Sequence, residues 1–229
     1  MSAILVLVLA GNVSAEWDGS GELGLVFARG NSDTDTLNTK LKLGYTNEER
    51  WSNTTELSFL RSETEGELDA SRFVFDNNTD YSLSDDSFVT GVGRYDRDRF
   101  SSFRFQASLA VGYGRKLIDN ERQSFSIEAG PGVRHTEARD SGDTETELIG
   151  RAAADYRLKI SDNAELTNES LVETGSSNTF FENELSLTVA INDSISLKTG
   201  LSVRHNTNVE PGRDKTDYLS TVNLVYSFL

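Results

Sequence analysis

The sequence predicts an all-β protein: a single antiparallel transmembrane β-barrel of about twelve strands, with short periplasmic turns and longer extracellular loops. Three observations lead there. Apolar and polar residues alternate with a period of two from Trp17 to the end of the chain, the connections alternate between short and long, and aromatic residues gather near the ends of the alternating stretches.

Successive side chains of a strand point to opposite faces, so a strand between two environments carries one apolar and one polar row. The first span, 17–28, sets Trp17 and Phe27 on one face and Glu22 on the other. In the second, 34–45, Leu37, Thr39, Leu41, Leu43 and Tyr45 oppose Asn38, Lys40, Lys42 and Gly44. The third and fourth, 51–62 and 71–83, place Trp51, Phe59, Phe73 and Tyr81 outward and Glu56, Arg72 and Asp76 inward. In the fifth, 87–98, keeping Arg94 on the polar face turns Val89 and Tyr95 outward; Phe88 joins them only through a shift of register. The sixth, 101–116, sets Phe103, Phe105, Ala107, Leu109, Val111 and Tyr113 against Arg104, Gln106, Ser108, Ala110, Gly112 and Gly114. The seventh and eighth, 124–135 and 146–158, turn Phe125 and Tyr156 outward and Glu128, Arg134, Arg151, Asp155 and Arg157 inward. The ninth, 164–173, alternates least, because Leu166 and Val172 share a face with Asn168 and Ser170. In the tenth, 179–191, Phe181, Leu185, Leu187, Val189 and Ile191 oppose Glu182, Glu184, Ser186, Thr188 and Ala190. The eleventh, 194–205, directs Lys198 and Arg204 inward, and the twelfth, 216–229, aligns Tyr218, Val222, Leu224, Tyr226 and Phe228.

Tight turns are expected at 46–49, 84–86, 118–121, 161–163 and 192–193, and longer loops at 63–70, 136–145 and 206–215. Alternation alone does not say which row faces in. A barrel of about eight strands is filled by its own side chains, whereas about twelve strands would leave an apolar lumen too wide to pack. The apolar row is therefore outside. Trp17, Tyr45, Trp51, Tyr81, Tyr113, Phe125, Tyr156, Tyr226 and Phe228 then form a girdle near the short-turn rim, and Phe27, Phe59, Phe73, Phe103, Phe181 and Tyr218 lie toward the other. Two aromatic belts around a band of aliphatic residues suit a bilayer. In lipid every backbone polar group must be paired, so the last strand is expected to close on the first.

Composition narrows the function classes. The net charge is −15, which argues against nucleic acid, whose phosphates want a basic face. The chain has no cysteine, which removes disulfide scaffolds, thiol catalysis and Cys-type zinc sites. Residues 1–15 read as a signal peptide: Ile4–Ala10 is a short apolar run and Val13-Ser14-Ala15 fits small-x-small cleavage, leaving a barrel over 16–229.

Several segments resemble a family of uncharacterised-domain proteins described as salt-induced outer-membrane proteins. They are Trp17-Asp18-Gly19, Glu22-Leu23-Gly24, Arg29-Gly30-Asn31-Ser32-Asp33-Thr34, Arg94-Tyr95-Asp96-Arg97-Asp98-Arg99-Phe100, Gly112-Tyr113-Gly114, Gly130-Pro131-Gly132-Val133-Arg134 and Thr216-Asp217-Tyr218. The resemblance implies a barrel in the outer membrane of a Gram-negative cell, surrounded by outer-membrane lipid and lipopolysaccharide. It implies no reaction, cofactor or catalytic residue. The terminal Val225-Tyr226-Ser227-Phe228-Leu229 looks like the aromatic signature read by barrel-assembly machinery, with Leu following the Phe.

The candidate lumen lining is Glu22, Lys40, Lys42, Glu56, Arg72, Asp76, Arg104, Glu128, Arg134, Arg151, Asp155, Arg157, Glu182, Glu184, Lys198 and Arg204. Such a lining either selects small polar solutes in a narrow pore or pairs internally and closes the barrel as a structural element. Arg94, Asp96, Arg97, Asp98 and Arg99 read as a salt-bridged hairpin tip, with a solute or lipopolysaccharide contact at the outer rim as the alternative. Acidic stretches at Glu63–Asp69 and Glu137–Glu147 could attract divalent cations, without calcium-loop spacing. An outer-membrane lipid hydrolase is the least favoured reading, because His135 and His205 lie on non-adjacent strands with no serine beside them on the same face. The chain is expected not to be an enzyme and to use neither cofactor nor metal.

Overall fold

A computed structural model describes residues 15–28, 34–47, 50–99, 101–209, 211–212 and 214–228, with the backbone alone at Ala15, Val26, Phe27, Ala28 and Thr34. The signal segment 1–14, the hairpin tip 29–33, the outward placement of Phe27 and the terminal Leu229 lie outside what is described.

The period-two stretches form strands β1 (Ala15–Ala28), β2 (Thr34–Asn47), β3 (Trp51–Thr64), β4 (Glu67–Ser82), β5 (Ser87–Asp98) and β6 (Phe103–Asp119). They continue as β7 (Gln123–Ala138), β8 (Thr144–Ser161), β9 (Ala164–Thr174), β10 (Thr179–Ala190), β11 (Ile195–Asn206) and β12 (Thr216–Phe228). Each pairs antiparallel with its sequence neighbour, and β12 closes on β1 with Gly19 opposite Phe228 and Leu23 opposite Leu224. The sheet is therefore a closed twelve-stranded barrel with every strand flanked on both sides.

The polarity is inverted relative to a water-soluble domain. Leu109, Val111, Leu148, Ile191 and Val222 are exposed on the outer wall. The buried polar set includes Glu128, Arg134, Glu147, Glu173 and Asn223 on the inner one. The outer wall has two polar interruptions whose amides satisfy one another. Asn53 donates to Thr79 Oγ1 at 2.7 Å and Asn77 to Thr55 Oγ1 at 2.8 Å. On β9 and β10, Asn183 donates to Ser170 Oγ at 2.8 Å, which explains how β9 keeps its weakly alternating row.

The strands run further than the pattern suggested. The connection expected as a loop over 63–70 is not one: β3 and β4 extend until only Glu65 and Gly66 turn, with φ of 55° and 79°. Two successive positive φ values make a primed turn that matches strand twist, and Gly66 enters that region without a Cβ penalty. The loop expected over 136–145 likewise shrinks to 139–143. The connection 207–215 keeps its length.

Phe88 corrects another expectation. No register shift occurs where β5 meets β6, so Phe88 points into the barrel opposite Gly114, and its ring fills the space a side chain at 114 would take.

Candidate functional site

The short-turn rim carries aromatic pairs across neighbouring strands: Trp17 with Tyr45 and Trp51 with Tyr81, each 4.9 Å between centroids, and Phe125 with Tyr156 at 6.1 Å. Tyr226 stacks on Phe228 at 6.2 Å, and Tyr113 is exposed on the same outer wall. At the far rim Phe73, Tyr95, Phe105 and His135 form a ladder across β4 to β7.

Inside, the alternation of β4, β5, β10 and β11 aims charged side chains at one another across the lumen. These two strand pairs face each other from opposite sides of the barrel. Arg72 donates to Asp96 at 2.9 Å, Arg204 to Asp96 at 2.6 Å, and Arg94 to Glu182 at 2.5 Å. Arg72 and Arg204 also lie 3.5 Å from Glu182, Arg94 lies 3.5 Å from Asp76, and Arg204 lies 3.5 Å from Asp98. The Phe180 ring sits under two of the guanidinium groups, 5.6 Å from Arg94 and 5.2 Å from Arg204. Charge-assisted bonds hold the bar together, and the planar guanidinium is weakly enough hydrated to stack on a ring.

A second cluster lies nearer the short-turn rim. Lys40 contacts Glu56 at 3.0 Å and Glu184 at 3.5 Å; Lys198 contacts Glu22 and Glu184, each at 3.1 Å. Asn223 donates to the other oxygen of Glu22 at 2.9 Å. Arg151 pairs with Glu128. Toward the far rim, Arg134 is buried at 1% exposure and donates to Glu147 at 2.7 Å, while Ser108 donates to Glu173 at 2.9 Å.

Between the bar and the short-turn rim lies a cavity of about 540 Å³. Arg72, Arg94 and Glu182 bound it at the bar, and Thr54, Ser124, Ser126 and Arg157 line it toward the rim. Lys42, Asp155 and Glu169 also line it; none of the three makes an ion pair among the described residues. Asp155 and Glu169 are direct cross-strand neighbours, exposed to the cavity. The lumen thus has an open, charged half and a half filled by paired side chains.

The candidate residues divide accordingly. Glu22, Lys40, Lys42, Glu56, Arg72, Asp76, Glu128, Arg151, Asp155, Arg157, Glu182 and Glu184 line the cavity, Lys198 bridges two of its carboxylates, and Arg204 lies in the bar. Arg134 is sealed beyond it. Arg104 is not with them: a β-bulge at the start of β6 turns it out, 56% exposed, to pair with Glu137 at 2.6 Å. The hairpin-tip reading of Arg94, Asp96 and Asp98 is corrected as well. These three lie in the lumen and pair with β4, β10 and β11, while Arg97 and Arg99 alternate outward and are exposed. Sequence reasoning missed Phe180, Glu169 and Glu173, and it read Glu147 as part of an acidic loop, whereas Glu147 lies in β8, buried on the inner wall and paired with Arg134. For Glu147, sharing a row with Arg151 and Asp155 was the available signal.

Both histidines lie on the outer wall at the far rim, each 2.8 Å from a threonine hydroxyl: His135 with Thr146, His205 with Thr216. Among the described residues no three His, Asp or Glu side chains converge as metal ligands.

These features define a closed twelve-stranded antiparallel β-barrel, apolar outside and charged within. The chain belongs to the family described as "Protein of unknown function, DUF481", which matches residues 21–228. A relative in Escherichia coli K12, the uncharacterized protein YdiY, is 27% identical over 216 residues, covering 92% of this chain and 83% of that one. Among solved structures, the NanC porin superposes with a TM-score of 0.58 at 15% identity, covering 93% of this chain and 100% of that one. An outer-membrane channel of Pseudomonas putida F1 gives 0.54 at 9% identity, covering 99% and 100%. At such identities these likenesses speak for the fold alone.

Proposed function

We propose that this chain is a narrow outer-membrane channel for small polar solutes, held mostly shut by its own ion pairs and without enzymatic activity. The observation that carries the reading is the charged cavity of about 540 Å³ opening toward the short-turn rim and ending at the Arg72–Arg94–Arg204 bar. Short turns face the periplasm in such barrels, so the cavity is a periplasmic vestibule and the bar is the constriction. Lys42, Asp155 and Glu169, which make no ion pair among the described residues, give a polar solute, or a divalent cation, groups of both signs to meet. Secretion with cleavage after Ala15, assembly by the outer-membrane machinery through Tyr226-Ser227-Phe228, and the tie to osmotic or salt stress belong to this reading. Its physical form for the last is screening: ion pairs in contact with lumen water weaken as the Debye length shrinks.

The bar also favours a second reading, a permanently closed barrel that stiffens the envelope. Single-channel recording in planar bilayers separates the two. The channel reading expects small conductance steps that grow faster than bulk conductivity as salt rises; a silent bilayer from 0.1 to 2 M salt would leave the closed barrel.

A further inference from the structure

We propose that the outer wall at the β5–β6 hairpin is a binding site for the phosphate groups of an outer-leaflet glycolipid of the lipid A type. The chain carries a net charge of −15, yet this stretch of wall is basic. Arg97 and Arg99 continue the outward row of Tyr95, are exposed, and engage no carboxylate among the described residues. Arg104 is turned onto the same wall by the bulge that starts β6. Two of the carboxylates nearby are already engaged: Glu137 by Arg104 at 2.6 Å and Glu63 by Arg61 at 3.0 Å. Asp69, at the bulge of β4, is exposed and pairs with no cation among the described residues. The guanidinium groups of Arg97, Arg99 and Arg104 therefore outnumber the carboxylates Glu137 and Asp69 at the edge of an apolar wall.

The surroundings favour a lipid over a free anion. Arg97 pairs across the sheet with Phe73, and beneath it the Phe73–Tyr95–Phe105–His135 ladder continues, with centroid separations of 6.5, 5.7 and 5.8 Å. An aromatic belt marks the depth at which headgroup meets acyl chain, and guanidinium groups just above it meet phosphate in fork geometry. The described ends of the hairpin are tied to the next loop: Arg139 donates to the backbone carbonyls of Ser101 and Phe103, each at 2.9 Å, and to that of Asp98. Arg99 N–H donates to the Ser71 carbonyl at 2.9 Å. The backbone on either side of the donors is thus held by its neighbours.

The test is native mass spectrometry of the folded full chain released from detergent with bis-phosphorylated lipid A, mono-phosphorylated lipid A or phosphatidylglycerol added. Wild type should retain the bis-phosphorylated lipid about tenfold better than the mono-phosphorylated one. Joint Arg97→Gln and Arg99→Gln substitution should erase that preference, whereas Arg115→Gln, on the outer wall near the opposite rim, should leave it. Equal retention of the three lipids by wild type overturns the site, as does a preference that survives the double substitution. The comparison among lipids needs no variant, so a misfolding variant does not shelter the idea. The site rests on the lipid-facing wall and not on the pore, so a silent bilayer would end the channel reading and leave it standing.

Discussion

Substituting Asp96 by Asn removes the negative charge at the middle of the lumen bar and turns one of its two acceptor oxygens into a donor. Asp96 takes Arg72 at 2.9 Å and Arg204 at 2.6 Å, with Arg94 a further 3.8 Å away. Unit charges about 3 Å apart interact by roughly 5 kcal/mol at an effective dielectric of about 20. Part of that is offset by the desolvation regained when the carboxylate goes, and breaking such a pair by removing one partner typically costs about 3–5 kcal/mol. The side chains involved are 11–15% exposed, which puts this case near the lower end, about 3 kcal/mol. Urea unfolding of the barrel in lipid vesicles, followed by the fluorescence of Trp17 and Trp51, reads this directly. With a slope of about 3 kcal/mol per M the midpoint should fall by about 1 M. Joint substitution with Arg204→Gln should recover a good part of the loss, because the two sites are in contact and not additive. Three guanidinium groups left with fewer acceptors also repel, so conductance in planar bilayers should rise. A midpoint and a conductance both indistinguishable from wild type would show that the bar neither stabilises nor constricts the lumen.

Gly114→Val should cost about 1–3 kcal/mol, because the new side chain meets the Phe88 ring; thermal unfolding should show most of that loss restored by Phe88→Ala. Leu109→Arg places a charge on the outer wall, where Leu109 is 66% exposed, and should lower stability in bilayers by about 2–4 kcal/mol. The same change should matter little in a molecule whose leucines met water. Lys198→Gln removes the cation shared by Glu22 and Glu184, so reversal potentials under a salt gradient should shift toward cation selectivity.

How far the sequence reached differs from place to place. Strands β2 and β10 follow directly from alternation, since a pleated chain between lipid and water has only one way to place Leu41 and Lys40. The β3–β4 hairpin was hidden because Thr64-Glu65-Gly66-Glu67 is polar throughout, and only the φ values of its two central residues distinguish a tight turn from a loop. Arg104 was misplaced because a bulge breaks the period on which its facing was argued. Asp96 and Asp98 shared a row with Arg94 and could have been read inward; their crowding beside Arg97 and Arg99 drew attention to the hairpin instead.

The sequence by itself determined the class of fold, the number and order of the strands, and the outward face of most of them, because period, turn residues and aromatic placement are local properties of the chain. The tertiary structure decided which charges meet. Arg94 reaches Glu182 across 88 positions of chain and Arg204 reaches Asp96 across 108. Those encounters depend on strand tilt, stagger and closure, which bring opposite walls within a side chain's reach, and no local pattern records them.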